Sequence, residues 1–151
     1  MEKFESIDDI LDFAINAEQE AVDFYNQLAT NAKTEDMRFV FTSFAQEEIS
    51  HKARLTQIKK EGSFKIEKKN IADLKISDYM AKVEIKPDMT YAEALVVAMG
   101  KEKAAFRLYY DLAKAANTEE MRNIFIALAQ EESKHKLRFE IEYDEYVLRE
   151  N

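Results

Sequence analysis

The second half of this chain repeats the first, and the repeat limits the folds that the chain can adopt. Residues 14–55 align without a gap with residues 98–139, and 19 of the 42 aligned pairs are identical. Unrelated segments of ordinary composition would agree at about one position in fifteen. The repeat therefore predicts two copies of one structural unit, connected by the residues between them.

Each copy is predicted to form two antiparallel helices. Apolar residues recur every three or four positions, which is typical of helices with one buried face. Ser6, Thr34 and Thr118 each precede acidic residues and mark helix starts, and Thr90 with Glu93 forms a capping box at a fourth start. We predict one domain over residues 1–151, with helices at about 7–31, 35–60, 91–115 and 119–148, and a crossover at about 61–89 with room for a short helix near 71–81.

This arrangement predicts an all-α fold, a ferritin-like four-helix bundle in which a long crossover docks the second hairpin on the first. The sequence contains only two Gly and one Pro, which favours long helices over a strand-rich fold with many turns. Hydrophobic residues make up 46 % of the chain, which is enough to fill one core.

The inward face of each predicted helix is apolar except near its middle, where it carries a glutamate. Two of the four helices add a histidine three residues later, on the same face. The residues concerned are Glu18, Glu48, His51, Glu102, Glu132 and His135. A buried, unpaired carboxylate costs several kcal/mol, so four converging carboxylates require compensating cations. Two helices with one Glu each and two with Glu-x-x-His carry the ligand set of di-iron carboxylate bundles. We therefore predict two metal ions, iron first, with manganese or zinc as alternatives.

Other polar residues lie near these six positions. Glu47 and Glu131 fall about 100° off the inward faces and are predicted to face solvent or to support the ligands. Glu20 is predicted to face water. Tyr25 and Tyr109 lie two turns beyond the first- and third-helix glutamates. Each is either a core aromatic residue or a hydrogen-bond donor to a ligand carboxylate.

Charge and cysteine content exclude several functional classes. The net charge of −8 argues against nucleic acid and anionic membranes as partners. The chain has no cysteine, which excludes disulfides and Cys-ligated metals. There is no long apolar run that would predict a membrane span, and the polar N-terminus does not resemble a signal peptide. A cytoplasmic location is expected.

These motifs resemble those of the rubrerythrin branch of the ferritin-like superfamily. The resemblance covers nearly the whole chain and rests on four segments, residues 17–25, 47–51, 102–109 and 131–135. It implies a four-helix bundle with a non-haem di-iron centre that reacts with O₂ or hydrogen peroxide. Glu48 and Glu132 would bridge the two ions. Each ion would also take one Glu and one His, namely Glu18 with His51 and Glu102 with His135.

The chain departs from typical rubrerythrins in two respects. It lacks the rubredoxin-like domain with a Cys₄ iron, so electrons are expected from a separate protein such as a rubredoxin. An additional ligand glutamate of rubrerythrins is replaced by Ala105. The ligand set is therefore symmetric and closer to that of bacterioferritin-like sites. The resemblance also implies a homodimer.

The predicted function is that of a di-iron oxidoreductase. Peroxide reduction is the first choice, by resemblance, and ferrous oxidation is the second. Two other readings remain open at this point. The protein could be an iron-binding bundle without catalysis, or it could hold a catalase-like pair of manganese ions, since oxygen and imidazole ligands suit manganese as well.

Overall fold

A computed structural model describes residues 3–81, 86 and 88–150. The described chain is helical, with no β-strand within those ranges. Its elements are α1 (Ile7–Thr30), α2 (Glu35–Glu61), α3 (Lys68–Asp73), a 3₁₀ turn (Ile76–Tyr79), α4 (Tyr91–Ala115) and α5 (Glu119–Glu150). The all-α, ferritin-like bundle predicted from the sequence is confirmed, and the bounds of its four long helices lie within two residues of those predicted.

Local sequence signals account for where the long helices begin. The side chains of Ser6, Thr34 and Thr118 each accept a hydrogen bond from a backbone N–H three residues later, at 3.1 Å in all three cases. Thr90 and Glu93 form the predicted capping box, in which each side chain accepts from the other's backbone N–H. These caps satisfy amides that the first turn of a helix leaves unpaired.

Two antiparallel hairpins make up the bundle, as their short connections require. Helix α1 packs along α2, and α4 packs along α5. The apolar residues form two separate cores, one at each end. The first surrounds Leu11, Leu55, Leu112 and Phe125, and the second surrounds Leu28, Phe41, Leu95 and Phe139. Each core takes side chains from all four long helices, and a polar layer lies between the two cores.

The crossover differs from the expected single helix near residues 71–81. Helix α3 ends at Asp73, Leu74 and Lys75 adopt extended backbone, and a 3₁₀ turn follows. This break allows Ile71, Leu74 and Ile76 all to reach the first core, which one regular helix could not achieve. Residues 82–85 and 87 of the predicted crossover lie outside the described residues. In the described part of the chain, no helix is long and apolar enough to cross a membrane.

Candidate metal centre

The six predicted ligands meet in the polar layer between the two cores. Each lies near the middle of a long helix, where the inward face is otherwise apolar. Five of the six side chains belong to residues with an exposure of 1–2 %, and His51 has 7 %. Charged residues are rarely buried to this degree unless something pairs with them. The layer is therefore the part of the fold that needs a chemical explanation.

These side chains form two groups that share two members. Two glutamates, Glu48 and Glu132, belong to both groups. The first group adds Glu18 and His51, and the second adds Glu102 and His135. In each group, one ligand atom from every residue lies within 4.8 Å of the others. In the first group, Nδ1 of His51 lies 2.9 Å from Oε1 of Glu132. In the second, Nδ1 of His135 lies 3.3 Å from Oε1 of Glu48.

Each of the six residues leaves one buried polar atom without a hydrogen-bond partner. The atoms are Glu18 Oε2, Glu48 Oε1, His51 Nδ1, Glu102 Oε2, Glu132 Oε1 and His135 Nδ1. Several of these atoms are close enough for a hydrogen bond but lack its geometry. Such an arrangement is expected of metal-ligand atoms that all point to one common position. Buried polar atoms are almost always satisfied in folded proteins. Four oxygens and two nitrogens in two overlapping groups are a donor set that suits a pair of divalent cations.

Two tyrosines hold the outer oxygens of two of these carboxylates. The Tyr25 hydroxyl donates a hydrogen bond to Oε1 of Glu102, and the Tyr109 hydroxyl donates to Oε1 of Glu18. The two bonds cross between α1 and α4, so each hairpin supports a carboxylate of the other. Because one oxygen of each glutamate is occupied, its other oxygen is left free toward the centre. Such contacts orient metal ligands.

Glu47 supports His135 in a similar way. The two side chains meet at 2.6 Å between Nε2 of the histidine and Oε2 of the glutamate. Nε2 therefore carries its hydrogen outward to the carboxylate, and Nδ1 points to the centre. Phe44 fixes the ring further by stacking on it, with 3.9 Å between centroids. The supporting role was one of two outcomes expected for Glu47.

Residues 9–143 match the family model described as Rubrerythrin. The chain belongs to the rubrerythrin family. No curated protein and no solved structure matches the chain in the other two comparisons. Family membership and the buried Glu/His cluster both fit a metal site.

Burial and mutual repulsion keep protons in this layer when no cation is present. Burial raises the pKa of Glu18 to about 8. Burial and the neighbouring carboxylates raise the pKa of Glu132 well above its ordinary value. Burial alone would lower the pKa of His135, but Glu102 and Glu48 outweigh that effect and raise it to about 11. Protons and cations therefore compete for the same atoms.

A cavity of about 350 Å³ between α1 and α4 reaches four carboxylates of this rubrerythrin-family site. Small side chains, including Ala17, Ala21 and Ala105, form part of its wall. Ala105 occupies the position at which the resemblance predicts an additional glutamate, and its short side chain contributes to the open volume. Glu20 and Lys101 also line the cavity, with 4.0 Å between their charged groups. Glu20 is exposed, as the sequence predicted.

Proposed function

We propose that this protein is a di-iron oxidoreductase that reduces hydrogen peroxide, with O₂ as a second oxidant. The observation that carries this proposal is the set of six orphaned ligand atoms, one on each predicted ligand, in two groups with two shared glutamates. Rubrerythrin family membership supports iron as the metal. Manganese and zinc would fit the same oxygen and nitrogen donors.

The proposed ligand assignment follows the two groups. Glu48 and Glu132 would serve both ions, Glu18 with His51 would hold one, and Glu102 with His135 would hold the other. When bound, two ferrous ions supply the two electrons that turn hydrogen peroxide and two protons into two molecules of water.

The chain's own residues orient the metal ligands and give the oxidant access to them. The tyrosine hydroxyls fix Glu18 and Glu102, and Glu47 fixes the imidazole of His135. The cavity between α1 and α4 gives a small oxidant a route to the carboxylates. The two apolar cores exclude water from either side of the layer, which strengthens the electrostatic interactions within it.

Sustained turnover needs electrons from elsewhere. The 151 residues contain no cysteine and hence no Cys₄ iron. We propose that a separate one-electron carrier such as a rubredoxin supplies them, and that the protein acts as a homodimer. Ferrous oxidation is the second candidate reaction, because Ala105 leaves the ligand set symmetric and without the additional glutamate.

Peroxide consumption by iron-loaded protein tests the proposal. Metal content is first measured in protein purified without added metal, and ferrous-loaded protein is then given hydrogen peroxide and a one-electron donor. We expect catalytic peroxide loss that Glu132→Gln abolishes. Glu140→Gln, on the same helix but half-exposed and paired with Lys136 at 3.2 Å, is the control and should behave as wild type. Stoichiometric iron without turnover would refute catalysis and leave an iron-binding bundle. Manganese with peroxide disproportionation would indicate the catalase-like alternative.

A further inference from the structure

A row of aromatic rings connects the centre to one end of the bundle. It begins at Tyr25, whose hydroxyl bonds the ligand Glu102. The ring of Tyr25 lies 5.2 Å from that of Phe139, Phe139 lies 5.9 Å from Phe41, and Phe41 lies 6.2 Å from Tyr91, all between centroids. Tyr91 then lies 5.0 Å from Tyr146, which is partly exposed. Neighbouring rings are thus close throughout, and electron tunnelling is fastest across such short gaps.

Tyr91, the fourth ring of this row, forms a buried pair with a glutamate that does not belong to the metal centre. The Tyr91 hydroxyl donates to Oε2 of Glu142 at 2.8 Å, and Glu142 has an exposure of only 2 %. Arg149 also reaches Glu142, at 3.4 Å. Burial and this bond raise the pKa of Tyr91, so its phenol stays protonated at neutral pH. A phenol that loses an electron becomes a strong acid, and Glu142 is in position to take the proton.

Within the described residues, this path occurs in one half of the pseudosymmetric bundle and not in the other. At the offset of 84 that relates the two copies, the counterparts of Tyr91, Glu142 and Tyr146 are Ile7, Ile58 and Gly62. Tyr109, the counterpart of Tyr25, packs instead on Phe125 at 6.3 Å, and Phe125 packs on the buried Phe64 at 4.9 Å. That second row ends in the first core on a phenylalanine. The tyrosine path is therefore an addition to the repeated framework.

We propose that Tyr25, Phe139, Phe41, Tyr91 and Tyr146 form a one-electron path between the metal centre and the surface, with Tyr91 as a redox station and Glu142 as its proton acceptor. This inference rests on the proposed function, since hydrogen peroxide is the oxidant. When peroxide reaches a centre whose iron is already oxidised, the path supplies electrons from tyrosine.

The reaction balances with Tyr91 as the immediate reductant. Hydrogen peroxide, two electrons and two protons from solvent give two molecules of water as the O–O bond breaks. Each electron leaves Tyr91 in a separate one-electron step and passes through Phe41 and Phe139. In each step the phenol proton moves to Glu142, which leaves a neutral tyrosyl radical. An external one-electron donor reduces this radical before the next step, and the proton returns from Glu142.

The charges around Tyr91 favour this proton-coupled form. The ammonium group of Lys33 lies 5.7 Å from the centre of the Tyr91 ring. A nearby positive charge disfavours a radical cation, so oxidation requires the proton to leave the phenol. The carboxylate that receives the proton is held by both Tyr91 and Arg149. Tyr146, beneath the guanidinium of Arg149 at 5.8 Å, is the outer end at which a donor would deliver its electron.

Freeze-quench electron paramagnetic resonance tests the path. Iron-loaded protein, oxidised beforehand, is mixed with hydrogen peroxide and frozen, and the tyrosyl signal is quantified beside peroxide consumption. We expect a tyrosyl radical in wild type, its loss in Tyr91→Phe, and no radical in zinc-loaded protein. Tyr79→Phe is the matched control, because Tyr79 is also buried and bonds a carboxylate, Asp111, at 2.7 Å but is not part of the row. It should retain the full signal.

Each result has one meaning. A radical that persists in Tyr91→Phe or disappears in Tyr79→Phe overturns the path, as does peroxide consumption by wild type without any tyrosyl signal. A wild type that holds iron but consumes no peroxide overturns the proposed function instead. Phe41→Leu, which interrupts the row without touching a phenol, should also lose the signal, and it replaces Tyr91→Phe if that variant does not fold.

Discussion

At the scale of single residues, the centre depends on contacts that divide two of its four carboxylates into a held oxygen and a free one. Tyr25 holds one oxygen of Glu102, and Tyr109 holds one oxygen of Glu18. Without these bonds, each glutamate could rotate and satisfy its free oxygen elsewhere in the layer. The tyrosines thus preorganise the ligands before a cation arrives, which lowers the entropic cost of binding.

Replacing Tyr109 with phenylalanine should weaken metal binding while leaving the fold intact. The ring remains in the core, but Glu18 loses the bond that fixes its orientation. Loss of such a partner typically costs about 10–100-fold in metal affinity, which a competition titration against a chelator would measure. Tyr110→Phe is the control, because Tyr110 is the next residue in the chain but is 49 % exposed. Equal affinities in the two variants would show that the Tyr109 bond does not orient the ligand.

Replacing Ala105 with glutamate should shift the balance between the two candidate reactions. The new carboxylate would enter the cavity beside the four present and restore the ligand that rubrerythrins are expected to carry there. We expect a higher ratio of peroxide turnover to ferrous oxidation, each measured optically. Ala105→Gln fills similar space without the charge and should leave the ratio unchanged. The same ratio in all three proteins would show that this position does not select the reaction.

At the scale of elements, helix ends are set by a few residues. Helix α2 ends at Glu61, and Gly62 adopts φ = 63°, with its N–H bonded to the carbonyl of Ile58 at 3.0 Å. This left-handed conformation costs a residue with a β-carbon about 1–2 kcal/mol, while asparagine tolerates it better. The end of α2 therefore fixes where the crossover begins.

Substituting Gly62 with alanine should destabilise the protein through the backbone alone. A β-carbon there would meet nothing within 4 Å, so no clash contributes. A loss of about 1 kcal/mol corresponds to a decrease of ~2–4 °C in Tm for a chain of this size, measurable by thermal denaturation. The decrease in Tm should be smaller for Gly62→Asn than for Gly62→Ala. Equal stability of all three proteins would contradict a left-handed cap in solution.

Periodicity predicted the elements well but not the contacts between them. The inward stripes located all four glutamates and both histidines in one layer, because a stripe defines which face of a helix is buried. A stripe does not define which neighbouring helix a side chain meets. The crossed tyrosine bonds and the contact between Glu47 and His135 depend on how each helix is rotated in the bundle. The break at Leu74 in the crossover likewise arises from tertiary burial, which local sequence does not reveal.

At the scale of the whole molecule, the protein consists of two apolar cores separated by a charged layer, and its stability should depend on what neutralises that layer. Cations bound only by the folded state add stability by mass action. Protons are the substitute when cations are absent, since the pKa values of Glu18, Glu132, His51 and His135 are all raised in the folded state.

The metal-free protein should lose stability as pH rises. Glu18 titrates near 8 when folded and near its ordinary 4.5 when unfolded, so between these values the unfolded chain binds fewer protons. His135, with a folded pKa of about 11 against an ordinary 6.5, acts in the same direction at higher pH. Stability falls with pH wherever the unfolded state holds fewer protons. Thermal melts of the metal-free protein should therefore show Tm decreasing from about pH 5 to 9.

The metal-loaded protein should resist this loss, because cations favour the ionised carboxylates and neutral imidazoles. Melts of both forms at the same pH values provide the comparison, and metal-free Glu18→Gln should show a shallower decrease than metal-free wild type. Parallel curves for the two forms would mean that the buried glutamates do not act as a cation-binding layer.

The two cores have a consequence for how such a chain can arise and diverge. Each core draws on both hairpins, so a hairpin alone would expose half of each core and would hold only two glutamates and one histidine of the set. A single ancestral hairpin would have had to associate with a second copy, and every change would then have appeared twice. Fusion removed that constraint. In the repeat, Phe44 aligns with Leu128 and Tyr91 aligns with Ile7, and a fused pair can inherit such differences separately.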